Sequence, residues 1–206
     1  MRIIAGRFRG RRLKGTPPEG VRPTSDRLRE TLFNILGDSV IESVFLDAYA
    51  GTGAVGLEAI SRGAGCVRFV DRCRQAVALI QSNVEALGIS QDVRVLHMEV
   101  RSAIALSAAE GGHFDIVFLD PPYGGQELYV TDLERLGTEG VVAEHGVVIV
   151  EHSSKLELPT KAGSLAQTRR TRQGDSVLTF YGPEVSSETN DGDLPGYIRP
   201  GHERSP

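Results

Sequence analysis

Apolar positions change their rhythm along this chain. From Val44 onward, short unbroken apolar runs alternate with stretches in which apolar residues recur every three or four positions. The runs predict strands over 44–48, 66–71, 93–98, 114–120 and 146–152. The stretches between them predict helices over 54–62, 74–87 and 101–109, with another near 127–136. Val77, Ile80, Val84 and Leu87 give one of these a clear apolar face. Strands that are apolar throughout and alternate with helices predict an α/β fold around a doubly wound parallel sheet. The end of the chain differs. Residues 165–172 and 176–182 are two strand-like runs joined by Gly174 and Asp175, which predicts a closing antiparallel hairpin and brings the sheet to seven strands.

Ahead of the sheet, Met1 to Lys14 reads as a short basic hairpin or arm, and Gly15 to Gly20 as a turn-rich linker. A helix then begins at Arg22-Pro23-Thr24, with Thr24 as its N-cap. Leu28, Leu32, Ile35 and Leu36 form its buried stripe and Gly37 ends it. Beyond Gly182 the chain is rich in Ser, Glu, Asp and Pro, which predicts a disordered tail. The division is therefore 1–40 for the arm and first helix, 41–182 for the sheet domain and 183–206 for the tail.

Composition narrows the class. The 206 residues are 40% apolar and 24% charged, an ordinary globular balance for about one domain. No apolar run approaches the roughly 20 residues that span a bilayer. The N-terminus turns basic too early for a secretory signal. Cys66 and Cys73 form no CxxC pair, which predicts reduced thiols in a cytoplasmic protein. His97, His113, His145, His152 and His202 stand singly, so no metal is expected. The net charge of −4 hides an asymmetry. Residues 1–30 hold nine basic and three acidic groups, +6, leaving −10 elsewhere. That suggests an arm held against phosphates; a solvated charged edge is the other reading of the same run.

Two segments carry chemistry. Asp120-Pro121-Pro122-Tyr123 closes the apolar run from Phe114, at the carboxyl edge where open α/β sheets bind ligands. The prolines fix the backbone and donate no hydrogen bond. The Asp120 carboxylate and the Pro121 carbonyl can both accept from one exocyclic amino group, while Tyr123 stacks on the base that carries it. A proline-capped turn is the plainer alternative. The second segment, Asp47 to Gly56, follows the first strand and opens a helix. It contains G-x-G-x-x-G, with Asp71 placed 20 residues after Gly51 to bind ribose hydroxyls. Taken alone it could hold NAD or another adenosine cofactor. Asp47 would repel a pyrophosphate and welcome positive charge, which favours S-adenosylmethionine.

On Met1 to Lys14, Arg22 to Arg27, Glu30 to Asn34, Asp47 to Gly56, Phe114 to Tyr123 and Gly174 to Tyr181, the chain resembles the RsmD-type ribosomal RNA (guanine-N2)-methyltransferases over residues 1 to about 182. The resemblance implies a Rossmann-like class I methyltransferase fold. It implies that Ala50, Gly51, Thr52 and Gly53 pass beneath S-adenosylmethionine, with Asp47 near its methionine portion and Asp120 closing the site. Asp71 would hold the ribose. Glu99 stands where such folds usually carry the Asp that meets the adenine amine. Asp120, Pro121, Pro122 and Tyr123 would grip a flipped guanine of 16S ribosomal RNA in a small subunit or assembly intermediate. Arg22, Thr24 and Arg27 would flank the pocket, and Arg7, Arg9, Arg11 and Arg12 would meet RNA phosphates. With no obvious exposed apolar stripe a monomer is expected, and neither metal nor membrane. Asp120-Pro121-Pro122-Tyr123 also fits amino-directed DNA methyltransferases, though no insert is long enough to read a major groove. A cofactor-binding assembly factor without turnover is a further alternative, and an NAD oxidoreductase a distant one.

Overall fold

The computed structural model describes residues 1–15, 24–90, 92–122 and 126–184. Five parallel strands form its centre: β1 (Val44–Ala48), β2 (Cys66–Asp71), β3 (Asp92–His97), β4 (Phe114–Leu119) and β5 (Val142–Ser153). The strands β6 (Lys161–Ala162), β7 (Leu165–Gln173) and β8 (Ser176–Pro183) add to them antiparallel. The order across the sheet is β3-β2-β1-β4-β5-β8-β7-β6. The seven expected strands are present, and the eighth, β6, has two residues, too few for any periodicity to mark.

Helices cover both faces: α1 (Asp26–Leu36), α2 (Ala54–Ser61), α3 (Arg74–Leu87), α4 (Val100–Ala109) and α5 (Gln126–Thr138). One apolar cluster joins α1, α2 and α3 through Leu32, Phe33, Ile60 and Ile80 to Phe45, Phe69 and Phe118 of the sheet. The other joins α4 and α5 through Ile104 and Leu133 to Leu46, Val117, Val148 and Val150. Alternate residues of β1, β4 and the later part of β5 serve alternate clusters, which explains why these strands read as apolar runs, while β3 lies at the sheet edge and is polar at alternate positions.

Three details depart from expectation. The N-cap of α1 is Ser25, whose Oγ accepts from the Leu28 N–H at 3.2 Å, and not Thr24. The inward stripe of α1 is Leu28, Arg29, Leu32, Phe33 and Leu36, with Ile35 only partly buried. β5 starts at Val142 because its pairing with β4 jumps from Phe114–Val142 to Ile116–Val147, bulging the intervening polar residues outward.

The basic N-terminal segment is a hairpin closed by an Arg2–Arg12 bridge and docked on the sheet domain. The fully buried Glu58 of α2 accepts from the Ile4 and Ala5 N–H groups at 2.7 and 2.9 Å, and from Arg62 Nε. Lys14 N–H donates to Asn83 Oδ1 of α3 at 2.7 Å, and Ile3 and Leu13 join the core. At Gly6 a Cβ would lie 1.8 Å from the Ser61 carbonyl oxygen, so only glycine lets the hairpin approach this closely. The expected linker residues 16–20 and the tail from 185 lie outside the described residues.

Candidate active site

The strand order reverses between β1 and β4, and open α/β sheets bind ligands at such a switch point. A cleft lies there. It is lined by Thr24, Asp47, Tyr49, Ala50, Gly51, Thr52 and Asp120, closed behind by Ala54, Val55 and Phe118. Of the residues read from sequence as a site, Thr24, Asp47, Ala50, Gly51, Thr52 and Asp120 thus converge. Tyr123 and Arg22 lie outside the described residues.

Asp47 is buried near the end of β1, and its Oδ2 accepts from the Gly56 N–H at 2.8 Å. Gly53, the N-cap of α2, has no side chain to satisfy the first turn, so a carboxylate from the strand does so instead. Gly56 itself is required: a Cβ there would meet the Phe69 ring at 2.3 Å. Burial pushes the Asp47 carboxyl up to about 8; the Gly56 N–H opposes the shift and the charge of Asp71 adds to it.

Asp120 follows β4. Its carboxyl is raised well above the ordinary range, chiefly by burial, then by the charges of Glu151 and Asp47, against a hydrogen bond from Thr24 that lowers it. The one-residue shift of the α1 cap to Ser25 leaves the Thr24 side chain to make that bond. Glu151, buried on β5, extends the acidic group and accepts from Ser176 Oγ at 3.4 Å.

Helix α5 supports both segments. The Tyr129 hydroxyl donates to the Pro121 carbonyl at 3.2 Å, and the Tyr49 hydroxyl donates to the buried Asp132 at 2.6 Å. Tyr49 is in the left-handed region, φ 61°, a conformation that a bulky side chain keeps only when its surroundings hold it. Burial and the bond to Asp132 raise the Tyr49 hydroxyl, which therefore stays protonated as a donor. Sequence reading missed Tyr129, Asp132, Glu151 and Arg29. Arg29 alone left a signal, since helical spacing from Leu32, Phe33 and Leu36 turns it inward. It is fully buried and donates to the Ala54 and Arg2 carbonyls at 3.2 and 2.9 Å, tying α1 to the Gly loop and the hairpin.

Other positions sit farther out. Asp71 holds the loop from the side, its two oxygens accepting from the Gly51 and Cys73 N–H groups at 2.8 and 2.7 Å. Glu99 is half exposed and 3.7 Å from Arg72. Arg9, Arg12 and Arg27 are exposed; Arg11 donates to the Ala86 carbonyl at 3.4 Å and the Arg7 guanidinium covers the Phe8 ring. Among the described residues no three potential metal ligands cluster, and no helix is long and apolar enough to cross a membrane.

The donor set suits a cation. Asp47 occupies the α2 terminus where a pyrophosphate would otherwise bind, and Asp120 and Glu151 add negative charge. A Rossmann-like sheet with this acid-lined cleft at its switch point is the fold and site of a Rossmann-like methyltransferase. The profile of the family described as Conserved hypothetical protein 95 matches residues 1–182. Ribosomal RNA small subunit methyltransferase D of Escherichia coli K12 is 33% identical over 190 residues, 92% of this chain and 93% of that one. The solved structure of the Escherichia coli protein yhhF superposes with a TM-score of 0.77 at 34% identity, covering 90% of this chain and 99% of its own. SMU.776, solved in complex with SAH, shares the fold at a TM-score of 0.57 and 17% identity, over 76% of this chain and 49% of its own. This chain belongs to the Conserved hypothetical protein 95 family, the RsmD-type methyltransferases.

Proposed function

We propose that the protein transfers a methyl group from S-adenosylmethionine to the exocyclic N2 of one guanine in 16S ribosomal RNA. The observation that carries this reading is the pair of fixed acceptors at the switch point. Asp120 is oriented by Thr24, and the Pro121 carbonyl by Tyr129. A carbonyl oxygen has two lone pairs, so Pro121 can accept from a target N–H while it keeps Tyr129. The name of the Escherichia coli relative, a small-subunit ribosomal RNA methyltransferase, supports the substrate class.

In this reading Asp47 and the Ala50–Gly53 turn hold the cofactor, Asp71 its ribose and Glu99 its adenine edge. Bound S-adenosylmethionine supplies an electrophilic methyl carried by a sulfonium that becomes neutral on transfer. The guanine N2 lone pair is delocalised into the ring. Asp120 and the Pro121 carbonyl accept its two N–H bonds, which favours a pyramidal nitrogen and frees the lone pair. The raised proton affinity of Asp120 equips it to take the proton that N2 loses. Orientation of this kind contributes on the order of 7–11 kcal/mol in well-aligned reactions. A paired base cannot enter the cleft, so the guanine is unpaired or flipped, with Tyr123 and Pro122 against it.

Residues 1–40 act as the RNA-contacting appendage, through Arg7, Arg9, Arg11, Arg12, Arg22 and Arg27, and residues 41–182 as the transferase domain. The enzyme works as a cytoplasmic monomer on the small subunit or an assembly intermediate. Its free cysteines and the scattering of its exposed large apolar side chains among the described residues, Met1, Ile41, Leu106 and Val130, support this. The test incubates the protein with methyl-labelled cofactor and small subunits from a strain lacking the gene, then digests the RNA to nucleosides. Label in N2-methylguanosine is expected; label in an adenine or cytosine derivative would overturn the target. Asp120→Ala is expected to lower transfer by about 100- to 1000-fold, the order set by losing one fixed hydrogen-bonding group aimed at the transition state, with cofactor affinity retained.

A further inference from the structure

Strand β7 carries Arg169, Arg170 and Arg172, all exposed, and no acidic residue. The sheet register sets where they lie. Val150 of β5 pairs with Leu119 of β4, so the next residue, Glu151, is level with Asp120. Glu151 pairs with Leu178 of β8, and Leu178 with Thr171 of β7. Asp120, Glu151, Leu178 and Thr171 therefore form one row across the carboxyl edge of the sheet. At about 4.8 Å per strand, Thr171 stands roughly 14 Å from Asp120. Leu178 packs in the cluster under α1, so this row faces α1. Arg169 and Gln173 share that face by alternation, and Thr31 of α1 donates to Gln173 Oε1 at 3.2 Å. The chain thus passes from Thr24 beside Asp120 into α1, whose Thr31 meets Gln173 next to the β7–β8 turn. Arg170 and Arg172 lie on the opposite face of the same strand.

These arginines are held yet largely uncompensated. Arg169 Nε donates to Thr171 Oγ1 at 3.3 Å and Arg172 Nε to the Gly174 carbonyl at 2.9 Å, which orients both guanidinium groups. Only Arg170 has an acidic partner among the described residues, Glu157 at 3.3 Å. β6 pairs only with Leu165 and Ala166, so beyond Gln167 the outer edge of β7 has no strand beside it among the described residues.

We propose that the β7 edge, through Arg169 and Arg172, is a second phosphate-binding surface that holds the RNA strand beside the target nucleotide. The surface rests on the proposed RNA substrate. The basic hairpin docks on α2 and α3, on the β1–β3 side of Asp120, and β7 lies on the other side of it in the sheet order. Charges on an edge strand also prevent sheet-to-sheet pairing, but either sign serves that purpose. Charge reversal separates the two roles.

The experiment measures binding of purified small-subunit ribosomal RNA, without methyl transfer, across a salt series for the wild type, Arg169→Glu/Arg172→Glu and Arg169→Lys/Arg172→Lys. The Glu variant is expected to stay folded and monomeric with unchanged cofactor affinity, and to bind RNA at least 10-fold more weakly at 0.1 M salt. The slope of log K against log salt is expected to fall by about 1.4, two single-strand phosphate contacts. The Lys variant is expected to keep the slope. An unchanged affinity and slope in a folded Glu variant would overturn the proposal and leave the arginines as edge protection. A wild type that binds RNA but leaves N2-methylguanosine unlabelled, with the Glu variant still weakened, would sink the catalytic reading and keep this surface. A wild type that binds neither this RNA nor small subunits would overturn both.

Discussion

Asp47 combines two duties that pull against each other. As an acceptor for the Gly56 N–H it secures the first turn of α2, and any polar group with a free oxygen could do that. As a carboxylate buried with Asp71 and Asp120 nearby it is costly to ionise, and burial pushes it up to about 8. A cationic ligand reverses that cost. Cofactor binding should therefore favour the ionised form and release a proton. Below about 8 the carboxyl is mostly neutral in the free protein, so the cofactor Kd should fall as pH rises from 6 to 8, by up to tenfold per unit, and level off above. Isothermal titration at several pH values checks this, and buffers of different ionisation enthalpy count the proton released. Asp47→Asn keeps the acceptor to Gly56 and should flatten the profile while weakening binding. The folded state holds the Asp47 proton more tightly than the unfolded chain, so wild-type stability falls as pH rises from about 4 towards 8. The Asn variant should lack that slope and melt at least about 2–4 °C higher at pH 8, the shift that 1 kcal/mol produces in a chain of this size. An unaltered profile in the Asn variant would remove Asp47 from the cofactor site.

Elements are joined here by side chains more than by loops. Glu58 lies in the middle of α2 yet satisfies two backbone donors of the N-terminal hairpin and one of Arg62. Ser61, one turn on, accepts from the Phe8 N–H at 3.0 Å and donates to the Ala5 carbonyl at 2.5 Å. The hairpin is thereby a fixed part of the molecule. Glu58→Ala would strand two donors in a partly buried seam, at about 1–3 kcal/mol each. We expect it to lower stability by about 2–5 kcal/mol in denaturant titration and to expose the hairpin backbone to hydrogen exchange, while α4, α5 and β5 keep their protection. Uniform loss of protection would mean that the hairpin folds with the whole domain and is not held by Glu58. Helix α5 ties in the same manner: Tyr129 reaches one motif and Asp132, through Tyr49, the other, so the Asp120-Pro121 segment and the Tyr49–Gly53 turn share one support.

At the scale of the molecule, the cleft sits where the β1–β3 half of the sheet meets the β4–β8 half. A ligand there touches both halves and binds only when they are joined. Cofactor at 100 times its Kd should therefore raise stability by about 2.7 kcal/mol and the melting temperature by about 5–10 °C. Two separate transitions, with only one of them moved, would show that the halves melt independently. The charge is divided as sharply as the sheet: an overall −4 with basic groups gathered on the hairpin and β7, and acids gathered in the cleft. Phosphates are drawn to the rim and a cation to the centre.

Much of this was already determined by the sequence. Unbroken apolar runs alternating with amphipathic stretches dictated the parallel sheet, because a strand covered on both faces has no room for polar residues. Asp47, Asp120 and the glycines between Gly51 and Gly56 stood out because each breaks such a run at a strand end, where a ligand meets the backbone. The tertiary structure decided the rest. Tyr129, Asp132 and Glu151 carry no local signal, since their partners lie 8 to 83 residues away for Tyr129 and Asp132 and across a strand for Glu151. The α1 cap is Ser25 and not Thr24, whose side chain instead bonds Asp120, nearly a hundred positions on. The position of Arg169 and Arg172 beside the site depends on strand register, which pairing sets and composition cannot. Local patterns determine which segments become elements; which side chains then meet is decided only when those elements pack.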